Sequence, residues 1–64
     1  MLEFRKEKNG VYTIHDGSMY IGAISRNGRQ YTFLAVPFFP FDKDKLEQVL
    51  NRIKELEYDA HNLG

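Results

Sequence analysis

Few residues in this 64-residue chain carry reactive chemistry, and their spacing argues against joint action. His15 and Asp16 are adjacent, but consecutive residues of an extended segment point to opposite faces, so they form no natural dyad. Ser18 and Ser25 fall at or beside turn signals, where serine is ordinary. There is no cysteine, and His15 and His61 stand far apart without a second ligand nearby, which argues against a structural zinc site. Asp42 and Asp44 lack the later glycine and terminal glutamate of a calcium loop. The glycines lie in or between turns and form no phosphate-binding loop. This inventory predicts no enzyme, no cofactor, no metal and no small-molecule substrate.

Nine basic and nine acidic side chains cancel, an unfavourable start for a surface that must neutralise several phosphates. No apolar run approaches the ~20 residues of a membrane-spanning helix, and no apolar stretch of signal-peptide type follows the basic N-terminal residues. The chain is therefore read as cytoplasmic.

Regular turn signals organise the first half. Asn9-Gly10, Asp16-Gly17 and Asn27-Gly28 tolerate the positive φ of tight hairpins. Between them lie β-branched and aromatic segments, predicting strands at about 2–7, 11–15, 19–25 and 30–36. Pro37 and Pro40 end the sheet, because proline cannot donate to a ladder. Leu46, Val49, Leu50, Ile53 and Leu56 then recur at helical spacing, predicting a helix over about 43–59. Asp42 stands where an N-cap belongs, with Phe41 and Leu46 at the positions of a hydrophobic staple. Asn62-Leu63-Gly64 is expected to fray. The expectation is one domain over 1–64 of class α+β: a four-stranded antiparallel β-meander followed by one C-terminal helix packed on one sheet face.

Turn length sets register and hence the faces. A two-residue Asn27-Gly28 loop pairs Arg26 with Arg29 and Ile24 with Tyr31. A two-residue Asp16-Gly17 loop pairs Ile14 with Met19 and Tyr12 with Ile21. A three-residue Lys8-Asn9-Gly10 loop sets Phe4 opposite Ile14. One face then carries Phe4, Tyr12, Ile14, Met19, Ile21, Ala23, Leu34 and Val36, and is assigned to the helix. The other carries Val11, Tyr20, Ile24, Tyr31, Phe33 and Ala35 beside Glu3, Arg5, Glu7, Thr13 and His15.

On this reading Tyr20, Ile24, Tyr31 and Phe33 form an open aromatic patch, the kind of surface that marks an interaction site. Strand 4 is uncharged and lies at an edge, which invites pairing with another chain. The sequence thus points to a protein partner or a homodimer. The alternative is a nucleic-acid-binding module using the sheet face with Arg5, Arg26 and Arg29. The segment from Tyr20 to Tyr31, a hairpin with Ser25-Arg26-Asn27-Gly28-Arg29 at its tip, followed by a helix, resembles in arrangement plant apetala-type domains and the arm-binding domains of tyrosine-family phage integrases. That resemblance implies a sheet laid into a DNA groove.

Overall fold

Glycine and asparagine in left-handed conformations turn the chain three times before its helix. The computed structural model describes residues 1–63 and shows the expected α+β order. Strands β1 (Glu3–Lys6), β2 (Val11–Asp16), β3 (Met19–Asn27) and β4 (Gln30–Ala35) form one antiparallel sheet in the order β1-β2-β3-β4. Helix α1 (Lys43–Leu63) follows. It outlasts its expected end, so Asn62 and Leu63 are helical rather than frayed; the expectation for Gly64 lies outside the described residues.

The first hairpin has the expected register. A tight 3-10 turn over Lys8–Gly10, with Asn9 at φ 62° and Gly10 at φ 73°, sets Phe4 opposite Ile14. The other two hairpins differ. Asp16 pairs with Met19 and Asn27 with Gln30, so the loops are Gly17-Ser18 and Gly28-Arg29. Gly17 and Gly28 have φ of 65° and 67°, while the residues after them stay at negative φ. This is the type II′ pattern, with glycine at the first central position. Arg26 therefore faces Tyr31, not Arg29, and Ile24 faces Phe33, not Tyr31.

The larger departure is a β-bulge. His15 pairs with Tyr20, but Ile14 pairs with Gly22, leaving Ile21 as the extra residue of β3. One inserted residue reverses the alternation of everything after it. Tyr12 now stands beside Ile24, and Ile24 beside Phe33. Ile14, Ile21 and Ile24 are all fully buried with Val49, Leu56 and Leu2. Each such side chain contributes about 1.5–3 kcal/mol by leaving water. Phe4, Tyr12, Tyr31, Phe33, Phe39, Phe41 and Ile53 pack around them. The helix side thus keeps Phe4, Tyr12, Ile14 and Ile21 as expected and gains Ile24, Tyr31 and Phe33. Leu34 passes to the outer surface, 57% exposed, and Ala23 pairs with it there.

Gly22 sits at the bulge because nothing larger fits. A Cβ there would lie 2.7 Å from the Leu34 carbonyl oxygen and 3.2 Å from Phe33 Cε1. The absent side chain lets β4 and the Phe33 ring close over the strand.

The helix is capped as expected and tied along one flank. The Lys45 backbone N–H donates to Asp42 Oδ1 at 2.9 Å, and the Leu46 N–H donates to the Asp42 carbonyl at 3.0 Å. These contacts, the Lys45 backbone bond foremost and its ammonium second, hold the Asp42 carboxyl below the usual carboxylate range. At the staple positions, Phe41 meets Phe33 and Phe39 edge-on, at 5.2 and 4.9 Å, and Leu46 stays half exposed. Gln48 Oε1 accepts from the Leu2 N–H at 3.0 Å. The Arg52 guanidinium lies 5.7 Å from the Phe4 ring centre and 5.9 Å from that of Tyr12, a cation–π seat that helps fix the helix on β1 and β2.

Candidate functional site

The four residues expected to form one aromatic patch divide between the two faces. Tyr20 is on the outer surface, 50% exposed, with its ring edge-on to His15 at 5.8 Å. Ile24 is fully buried, and Tyr31 and Phe33 pack against the core beneath the helix. The expected contiguous patch is therefore corrected: the Ile21 bulge turns Ile24, Tyr31 and Phe33 inward. What remains outside is Tyr20 beside a polar surface on β1 and β2.

That surface carries a short hydrogen-bonded chain. Thr13 Oγ1 lies 3.0 Å from His15 Nε2 and 3.4 Å from Glu7 Oε2. A hydroxyl beside an imidazole has the atoms of a nucleophile and base. Here the carboxylate contacts the hydroxyl rather than orienting the imidazole, and the pair stands on an open sheet. It lines neither of two clefts that flank Arg52. One, of ≈ 590 Å³, includes Tyr12, Leu56 and Tyr58; the other, of ≈ 280 Å³, includes Leu2, Phe4 and Gln48. Both are open to solvent, and Arg52 and Lys54 in the first are balanced by Glu55 and Asp59. Among the described residues no cluster of three His, Cys, Asp or Glu side chains could hold a metal. No described helix is long and apolar enough to cross a membrane.

The three arginines expected to meet nucleic acid, Arg5, Arg26 and Arg29, are separated or engaged. Arg5 Nη2 lies 2.9 Å from Glu3 Oε1, and this contact holds the Glu3 carboxyl below its ordinary range. Arg26 Nε donates to the Gly28 carbonyl at 2.7 Å, and Arg29 is exposed in the same turn. The first hairpin tip lies against this turn, since a Cβ on Gly10 would approach Arg26 Cβ to 3.1 Å. Arg26, Arg29 and Lys8 thus share one end of the sheet, away from Arg5.

The feature that survives most intact from the sequence is the β4 edge. The Val36 N–H donates to the Ile21 carbonyl at 2.9 Å. Alternation along an antiparallel pair then directs the backbone groups of Leu34, Thr32 and Gln30 toward β3. Those of Tyr31, Phe33 and Ala35 point away from the sheet, and none of the turn, loop or side-chain hydrogen bonds among the described residues engages them. Gln30–Ala35 contains no charge and no proline. The opposite edge, β1, is short and carries Glu3, Arg5 and Lys6, the usual protection against edge pairing.

Two features were not apparent from the sequence. At 3.6 residues per turn, Val49 and Leu56 aim at the sheet, Gln48 and Arg52 fall on one flank and Leu46 and Leu50 on the other. The contacts of Gln48 and Arg52 turn their flank toward β1 and β2, so Leu46 and Leu50, 47% and 51% exposed, lie on the β4 side. The second is Phe38, fully exposed at φ 67°. It occupies the third position of the Val36-Pro37-Phe38-Phe39 turn, closed by the Phe39 N–H on the Val36 carbonyl at 3.3 Å. Proline second and a positive φ third define a type II turn, where glycine is the usual occupant. Compared with protein-family models, curated proteins and solved structures, the chain matches none.

Proposed function

We propose that the chain is a non-enzymatic binding protein that takes its protein partner by strand addition at the β4 edge. The supporting observation is the row of outward N–H and C=O groups at Tyr31, Phe33 and Ala35 on a strand without charge or proline. An added strand satisfies these groups through its own backbone, and the side chains above and below supply selectivity. A cysteine-free chain suits the reducing cytoplasm.

Ala35→Pro tests this reading. It removes one outward N–H while leaving the bonds to β3, and proline is tolerated on an edge when its missing N–H faces solvent. Circular dichroism should remain native while association is lost, read by light scattering for self-association and by pull-down for a different partner. Binding that survives unchanged in folded Ala35→Pro overturns the reading.

The contact between Gly10 and Arg26 favours a second reading, in which the hairpin tips carrying Lys8, Arg26 and Arg29 meet nucleic-acid phosphates. Retention on mixed DNA and RNA would then fall steeply with salt and weaken in Arg26→Ala and Arg29→Ala. Absence of retention at low salt removes it.

A further inference from the structure

We infer that the strand added at the β4 edge is β4 of a second copy of this chain, paired about a two-fold axis at Phe33, with Leu46 and Leu50 of the two helices closing over the seam. This rests on the edge reading proposed above and specifies its occupant and register.

Self-pairing is permitted because the strand is uncharged, so no like charges meet when it opposes itself. The register follows from the outward groups. Centred on Phe33, the two strands place Phe33 opposite Phe33 and Tyr31 opposite Ala35, so every outward N–H meets a carbonyl. Centred on Leu34, Tyr31 would face Pro37, which has no N–H to give. Centred on Thr32, Ala35 would face Arg29, which lies in the hairpin turn rather than in the strand. Only the Phe33 centre uses all three outward positions on extended backbone.

The helix supplies the second contact. Antiparallel edge pairing within one continuous sheet keeps both helices on the same side. Of the sheet strands, β4 is the one with most residues near α1. Leu46 and Leu50 occupy the flank away from Gln48 and Arg52, and that flank overlooks the β4 edge. In an isolated chain both leucines stand half in water. In the dimer they face their counterparts across the axis and form an apolar cover above the joined strands, with Lys43 before it and Lys54 and Glu57 after it on the same helical stripe. An isologous interface of this kind uses one patch twice.

The chain has no cysteine, so single introduced thiols report intermolecular proximity alone. In the Phe33-centred register Thr32 stands directly opposite Leu34 of the other copy, and both side chains are exposed on the outer surface. Under mild oxidation an equimolar mixture of Thr32→Cys and Leu34→Cys should form cross-linked heterodimers, while neither variant alone does. Cross-linking of Thr32→Cys alone, or of Leu34→Cys alone, overturns the register but leaves edge pairing standing. A wild-type dimer by light scattering with no cross-link from any combination overturns the edge reading itself. A wild type that stays monomeric to about millimolar concentration overturns the second copy as occupant. For the helix contact, Leu46→Glu and Leu50→Glu should each raise the dimer dissociation constant at least tenfold with native circular dichroism. An unchanged constant overturns the part assigned to α1.

Discussion

Replacing Gly22 by alanine puts one methyl group where β3, β4 and the Phe33 ring converge. The added Cβ would lie 2.7 Å from the Leu34 carbonyl oxygen, whereas carbon-to-oxygen contacts between strands settle at about 3.3–3.6 Å. The obstacle is backbone, so β4 must retreat by roughly half an ångström or more. Such a shift stretches neighbouring ladder bonds, among them Val36 N–H to Ile21 carbonyl at 2.9 Å, toward the ~3.2 Å limit of good geometry. Overpacking of this kind costs about 1–3 kcal/mol. Alanine restricts the unfolded chain and returns about 0.4–1 kcal/mol, and Gly22 is not among the glycines at positive φ, so no conformational strain is added. The net loss is about 1–2 kcal/mol in a domain whose total stability is roughly 3–10 kcal/mol at this length. At about 4–8 °C per kcal/mol, thermal unfolding followed by circular dichroism should show a Tm drop of roughly 4–16 °C. A Gly22→Ala protein that melts with wild type or above it would mean that β4 does not lie against Gly22 and that the bulged register is wrong.

The face assignment is tested by Ile24→Ala and Leu34→Ala in urea unfolding: the first should lose about 2–5 kcal/mol and the second under about 1 kcal/mol, and a reversed order would restore the unbulged alternation. Phe38→Gly removes a left-handed strain of about 1–2 kcal/mol and adds unfolded-state freedom, so its Tm should equal or exceed that of wild type; a clear fall would show that the ring is packed. Asp42→Ala should melt below wild type at neutral pH. Because its folded pKa is depressed, Asp42 contributes stability above the ordinary aspartate pKa of about 3.9 and loses it as pH falls through the lower folded value. The Tm gap should therefore close in acid, and a gap unchanged to pH 2 would refute the cap's charge contribution.

The element order was legible because each boundary has a local cause. Three glycine-containing turns, two prolines and an aspartate cap act within a few residues of where they stand, and helix periodicity survives any error in the sheet. The first hairpin was legible to the residue, since Asn9 and Gly10 both take positive φ. The other hairpins use glycine first, as Gly17-Ser18 and Gly28-Arg29, and the Asn-Gly and Asp-Gly dipeptides suggested glycine second. That displacement moves each pairing by two and preserves the faces. The Ile21 bulge does not, and it turned Ile24, Tyr31 and Phe33 from an expected surface into core. Gly22 was the available signal, because an isolated glycine within a strand often marks a bulge. The edge strand needed only composition and position to be recognised. The flank of α1 and the exposed Phe38 depend on tertiary placement, which local pattern does not carry.

The bulge also bears on how kinship with this chain would be written. A relative that built the same sheet without it would be one residue shorter between the second and third turns. Laid beside this chain without a gap, its sequence would match inward positions of its third and fourth strands to outward ones here. Ile24 would fall opposite a solvent-facing residue and Leu34 opposite a core one, and hydrophobic agreement would vanish over half the sheet. A single gap at Ile21 restores it, so shared ancestry across that difference would be visible in the coordinates before it was visible in the letters.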